Sequence, residues 1–93
     1  GDMPDGTLPG DARSQAEWAL RNILAILADA DMGPEHLTKL TIFALDRAYV
    51  PDWRAARDEV LGDIQVPGTM VIVPGFVNPD WLIEIDARAV KAD

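Results

Sequence analysis

Apolar residues recur at helical spacing in two parts of the chain. Over residues 12–29 they follow the i, i+4, i+7, i+8, i+11 pattern of one buried helix face. This face would consist of Ala16, Leu20, Ile23, Leu24 and Leu27. Asp11 is suited to cap the start of the helix, and Ser14 with Glu17 offers an alternative capping box one turn later. Gly33 and Pro34 are expected to end it.

A second, shorter helix is predicted over residues 51–61. Pro51 suits the first helical position, and Asp52 complements the helix dipole there. Gly62 is the expected C-terminal stop. The buried side of this helix would consist of Trp53, Ala56, Val60 and Leu61.

Three stretches have the composition and alternation of β-strands. Residues 39–45, KLTIFAL, are rich in β-branched and aromatic residues, and residues 70–73, MVIV, carry no polar side chain. Such strands are normally covered on both faces. Residues 81–90 alternate instead, with Trp81, Ile83, Ile85, Ala87 and Ala89 on one side and Leu82, Glu84, Asp86, Arg88 and Val90 on the other.

The predicted element order is therefore α-β-α-β-β, which indicates an α+β fold in one domain of 93 residues. Two helices can cover only one face of a sheet, yet two of the strands are apolar on both faces. A domain of this size buries only about 60–65% of its unfolded surface. We therefore expect another subunit to cover the second sheet face.

Composition excludes several functions. Sixteen acidic against eight basic residues give a net charge of −8, with bases that form no patch in the sequence, so nucleic-acid and anionic-lipid binding are not expected. The chain has no cysteine and one histidine, His36, so no metal site is expected. The sequence has no apolar stretch long enough to span a membrane and no signal peptide at the given terminus. With no cysteine in the chain, a cytoplasmic location is expected. His36 itself is expected to be a surface or capping residue.

An ordered set of segments resembles the RidA/YjgF family, also called the L-PSP or reactive-intermediate deaminase family. These segments are DGTLPGDARSQAEWALRNILAIL, HLTKLTIFALD, residues 53–62, and WLIEIDARAV. The last is similar to the closing Leu-Val-Glu-Ile-Glu-Ala-Ile-Ala-Val strand of the family. The resemblance implies a chorismate-mutase-like fold, with two helices on one face of a mixed sheet. It also implies a homotrimer with ligand clefts between subunits, and no cofactor.

The resemblance implies the activity known for the family, which is the hydrolysis of enamines and imines to carbonyl compounds and ammonia. An arginine grips the substrate carboxylate, and a water is positioned near a glutamate, which Glu84 matches. Glu84 has two interpretations, an exposed carboxylate or a catalytic one held in a cleft. Gly68, Thr69 and Met70 match the substrate-binding start of the penultimate strand.

The sequence departs from the family pattern at two places. Thr69 stands where the deaminases carry the carboxylate-binding arginine, and one hydroxyl cannot replace a bidentate guanidinium. Arg57 could supply a cation from the second helix, or could be a solvated helix arginine. In addition, the family's N-terminal strands and Ser-Gly-Gln segment are expected to be missing, with Gly1 as the last trace of that segment.

Three functions remain open at this stage. The first is a small-molecule deaminase or related hydrolase in which Glu84 orients water, aided by Thr69 and the backbone amides of residues 68–70. The second is a non-catalytic ligand-binding or scaffold trimer, favoured by the lost arginine. The third is an endoribonuclease or translation inhibitor, which has the least support because the chain is acidic and lacks a basic stripe.

Overall fold

The computed structural model describes residues 9–92 and contains the predicted elements in the predicted order. They are α1 (Ala12–Asp29), β1 (Leu37–Ala44), α2 (Val50–Leu61), β2 (Gly68–Ile72) and β3 (Ile83–Ala89), with short 3₁₀ turns at Pro34–His36 and Arg47–Tyr49. Gly1, interpreted above as the trace of a longer segment, lies outside the described residues. In the part of the chain that is described, neither helix is long and apolar enough to cross a membrane.

The three strands form one mixed sheet with the order β2-β1-β3. β2 runs parallel to β1, with Thr41 opposite Thr69 and Phe43 opposite Val71. β3 runs antiparallel to β1, with Phe43 opposite Glu84. A parallel pair needs a long crossover, and α2 supplies it between β1 and β2. The predicted α+β class with a mixed sheet is therefore confirmed.

Both helices pack on the same face of this sheet and build the core there. Leu40 and Ile42 of the central strand are essentially fully buried, as is Leu20 of α1. The predicted helix stripes are confirmed: Ala16, Leu20, Leu27, Trp53, Ala56 and Leu61 are buried, and Ile23, Leu24 and Val60 pack against them. Hydrophobic burial on this one face holds the domain together.

The opposite face of the sheet, called here the open face, has no helix over it within residues 9–92. Because side chains alternate along a strand and partners in register share a face, it carries Lys39, Thr41, Phe43, Thr69, Val71, Glu84, Asp86 and Arg88. Val71 of the MVIV strand is 39% exposed on this face, and its cover by another subunit stays a prediction. Ile72 is 47% exposed on the helix side because β2 is a sheet edge that the helices reach only partly.

The ends of the helices follow the sequence with two differences. Asp11 caps α1 by accepting hydrogen bonds from the Ser14 N–H at 2.8 Å and the Ser14 hydroxyl at 3.0 Å. Ser14 is thus a partner of the cap and not a capping residue itself. The helix also ends before Gly33, because Asp31 adopts a left-handed φ of 57° and the Met32 N–H bonds to the Leu27 carbonyl.

Gly62 ends α2 as predicted, with a φ of 60° that favours glycine. His36 acts as a capping residue as predicted, because its Nδ1 accepts a hydrogen bond from the Gly33 N–H at 2.9 Å.

A buried glutamine ties three segments together. Gln15 is 3% exposed, and its Nε2 donates to the carbonyls of Pro9 at 2.8 Å and Asp80 at 3.0 Å. Its Oε1 accepts from the Leu82 N–H at 2.7 Å. The side chain therefore joins α1 to the turn that leads into β3, where Asn78 Oδ1 accepts from the Asp80 N–H. The position of Glu84 depends on this turn.

We expect Gln15→Ala to lower the free energy of unfolding by about 2–4 kcal/mol, because it leaves the partly buried Leu82 N–H without this partner and removes two further hydrogen bonds. Urea unfolding measures this loss. Arg21→Ala is the matched control on the exposed side of α1, with an expected change within about 0.5 kcal/mol. Equal losses in the two variants would show that the glutamine does not hold the turn.

We expect the Asp11 cap to stabilise the fold only while the carboxylate is ionised. The Ser14 backbone and side-chain hydrogen bonds hold the pKa of Asp11 below its ordinary value of 3.8. A lowered pKa in the folded state means that the stabilisation is complete above 3.8 and is lost as the pH falls through the folded value.

Asp11→Ala should therefore lower the free energy of unfolding by at most about 1 kcal/mol at neutral pH, because Asp11 is exposed. The cost should shrink as the pH falls below 3.8 in urea titrations. Asp11→Asn, which caps without titrating, is the matched control and should keep its stability relative to Asp11→Ala across the same range. A cost for Asp11→Ala that is independent of pH would contradict this account.

Candidate functional site

The open face brings together two of the predicted site residues. Glu84 projects from β3 beside Phe43, and Thr69 projects from β2 beside Thr41. They lie on the outer strands with β1 between them and are offset by two residues. At strand spacings of about 4.8 Å and rises of about 3.3 Å, their Cα atoms are roughly 12 Å apart. Both side chains can therefore reach one small molecule on this face, but they do not contact each other.

The local sequence fixes the direction in which Glu84 points. Its neighbours Ile83 and Ile85 are buried in the core, so alternation forces the carboxylate onto the open face. The residue is partly buried, with the Phe43 side chain alongside. Among residues 9–92 its carboxylate takes part in none of the ion pairs, which join Arg13, Arg21, His36 and Arg57 to other acids. It is thus able to accept a hydrogen bond from a ligand or a water.

The other predicted residues lie elsewhere. Gly68 starts β2 opposite Leu40, and an added Cβ there would meet the Ile42 side chain at 3.4 Å. Met70 packs against the core on the helix side. Besides the Thr69 side chain, the backbone of residues 68–70 remains for binding, along the outer edge of β2, which has no strand beside it in the described residues.

Arg57 belongs to the helix layer and not to the open face. It lies on α2, and its guanidinium is 3.3 Å from the carboxylate of the neighbouring Asp58. Within one chain the sheet separates it from Glu84 and Thr69. The interpretation of Arg57 as a solvated helix arginine fits this position, whereas a role in binding would require the cleft to include the helix layer of a neighbouring subunit.

Sequence reasoning missed a polar pocket on the open face. It has a volume of about 340 Å³ and is lined by Lys39, Thr41, Asp86, Ala87 and Arg88. The bases form no patch in the sequence, but the strand register places Lys39 directly opposite Arg88. Alternation within each strand gives the face of each residue. The pairing of two distant strands, shifted by an irregularity between Leu37 and Lys39, is not readable from the pattern.

Residues 9–92 contain no group of three or more histidine, cysteine or acidic side chains that could hold a metal ion. The chemistry available on the open face is that of carboxylates, a hydroxyl, cations and backbone amides.

Comparison with known proteins places the chain among relatives. A sequence profile of the family described as Endoribonuclease L-PSP matches residues 1–91. The crystal structure of Rv2704 from Mycobacterium tuberculosis, a member of the YjgF/YER057c/UK114 family, is similar with a TM-score of 0.82 and 26% identity over 87% of this chain and 69% of that one. PA3499 from Pseudomonas aeruginosa, of unknown function, has a TM-score of 0.83 and 32% identity over 91% and 61%.

Yeast Mmf1 shares the fold, with a TM-score of 0.86 at 18% identity over 98% of this chain and 73% of that one. The match thus covers between 61% and 73% of these three proteins. A search of curated proteins gave no match. The resemblance drawn from the sequence is confirmed, because the profile extends over nearly the whole chain. The chain belongs to the Endoribonuclease L-PSP family, whose members are also grouped as YjgF/YER057c/UK114.

Proposed function

We propose that this protein binds a small molecule at the open face and hydrolyses an enamine or imine to a carbonyl compound and ammonia. The observation that carries the proposal is the position of Glu84. A carboxylate with no ion pair in the described residues lies partly buried on the sheet face that α1 and α2 leave uncovered, at the position where the family pattern has its water-orienting glutamate.

The chemistry requires one base that can return its proton. An enamine first tautomerises to the imine. Glu84 accepts a proton from a water as the water oxygen attacks the imine carbon, giving a carbinolamine. The carboxylic acid gives this proton to the nitrogen, which completes the neutral carbinolamine. Glu84 then takes the hydroxyl proton of the carbinolamine and passes it to the nitrogen, so that the C–N bond breaks and ammonia leaves as the carbonyl forms. Atoms balance as imine plus water to carbonyl plus ammonia, and neither a metal nor a redox cofactor is needed.

Self-association would complete the site. We propose a homotrimer in which the open face meets neighbouring subunits and the ligand cleft lies between them. The exposed Val71 and the partly exposed Phe43 are apolar side chains that a single chain leaves in contact with water. Covering them would contribute about 25 cal/mol for each Å² of apolar surface buried. A cytoplasmic location is part of the proposal and is supported by the absence of cysteine.

A non-catalytic ligand-binding or scaffold trimer is the second candidate, and Thr69 is the observation that favours it. A threonine offers one hydroxyl where a deaminase would use a guanidinium, so an imino acid would lose its charge-assisted grip. The endoribonuclease function in the family's description has less support. A net charge of −8 gives little counterion release on RNA.

We expect Glu84→Gln to reduce ammonia release at least about a hundredfold, because an amide cannot accept the proton of the attacking water. Imines are generated in solution from a panel of amino acids by an oxidase, and ammonia is measured. Glu59→Gln, which removes an exposed carboxylate from α2, is the matched control and should retain wild-type rates. Acceleration that survives in Glu84→Gln would refute the role of this residue. No acceleration by wild type would favour the non-catalytic candidate.

We expect Val71→Asp to dissociate the assembly, since it would place a charge in the proposed interface. Sedimentation velocity should show a trimer for wild type and a monomer for the variant at the same concentration. Val77→Asp makes the same change at a fully exposed loop position and should remain trimeric. A wild-type chain that sediments as a monomer would contradict the proposed assembly.

A further inference from the structure

Two cations face each other on the open face and form no ion pair within the described residues. Lys39 of β1 and Arg88 of β3 are direct partners in the antiparallel register. Cβ atoms of such partners are about 5 Å apart, and like charges placed this way destabilise a sheet. Within residues 9–92 neither side chain forms an ion pair or a side-chain hydrogen bond, although Asp86 lines the same pocket.

The backbone around these cations is irregular in a way that creates their pairing. The register of β1 and β3 shifts between Leu37 and Lys39, so that Thr38 is the extra residue of a bulge. The Thr38 hydroxyl donates to the Arg88 carbonyl at 3.2 Å and holds the bulge against β3. Without the shift, Lys39 and Arg88 would not be direct partners. The fold thus holds together two of only eight bases in a chain of net charge −8.

A pocket of about 340 Å³ lies between these side chains. We propose that it is a binding site for a small carboxylic acid that also carries an O–H or N–H group. Lys39 and Arg88 hold the carboxylate through charge-assisted hydrogen bonds, and Thr41 offers a further hydroxyl. Asp86 accepts the hydrogen bond of the ligand's own donor.

The composition of the lining selects among anions. Two cations and one carboxylate leave one net positive charge, which matches a monocarboxylate better than a phosphate dianion. Asp86 would also repel a ligand that lacks a donor. The expected order of affinity is therefore lactate, then pyruvate, then inorganic phosphate. This site requires no turnover at Glu84, so it can fail or succeed independently of the deaminase proposal.

The test is a titration of the ¹⁵N-labelled protein with lactate, pyruvate and phosphate at constant ionic strength. Saturable shifts are expected at the amides of residues 39–41 and 86–88. Arg88→Gln and Lys39→Gln should each weaken lactate binding at least about tenfold, the loss of one charge-assisted hydrogen bond. Arg54→Gln, which removes an exposed arginine from α2, is the matched control and should bind as wild type does. Asp86→Asn should remove the preference for lactate over pyruvate and strengthen phosphate binding.

Three results would overturn the proposal. The first is that the amide chemical shifts do not saturate with any of the three anions. The second is wild-type lactate affinity in Arg88→Gln and Lys39→Gln. The third is an Arg88→Gln variant that dissociates in sedimentation velocity while its lactate affinity is unchanged, because the cation pair would then serve a contact between subunits.

Discussion

The structure depends on one constraint: a three-stranded sheet has two faces, and the two helices found in residues 9–92 cover only one of them. Burial of Leu40, Ile42 and Leu20 on the covered side supplies the core. Every side chain that alternates away from this core is thereby assigned to the open face, whatever its chemistry. Glu84 lies there because its neighbours Ile83 and Ile85 are needed inside. The side-chain chemistry proposed for this protein follows from that division.

The open face combines features that stability alone does not explain. Within a few strand positions of one another it carries two opposed cations, exposed apolar side chains, and a carboxylate that forms no ion pair with any described residue. In a sheet with a purely structural role, opposite charges would be paired and large apolar residues would be covered. Thr69 stands where the family pattern has an arginine. It lies on the same face as Lys39 and Arg88 but in a different row of the sheet. Recognition of an anion, if the further proposal holds, has a different position here from the one that the family pattern implies.

The sequence was sufficient for the elements, their order and the helix stripes, because each depends on local periodicity. The apolar stripe of α1 and the alternation of β3 needed no knowledge of distant residues. The sequence was not sufficient to predict contacts between segments that are distant along the chain. Gln15 lies near the start of α1, and only the folded chain shows that its side chain bonds to the backbone of Asp80 and Leu82. The pairing of Lys39 with Arg88 was hidden in the same way, since it depends on strand register and a bulge. The end of α1 near Asp29 agrees with the prediction, but the left-handed residue after it is Asp31 and not Gly33.

The central claim is that the open face is covered by other copies of the chain in solution. The chain has no cysteine, so one introduced thiol reports on one position. We would measure the alkylation rate of Val71→Cys against that of Val77→Cys in the native protein and in urea. The account predicts that the thiol at position 71 reacts at least about tenfold more slowly than that at position 77 in the native state, and equally fast once unfolded. Equal native rates would show that the face is open to water and would contradict the account.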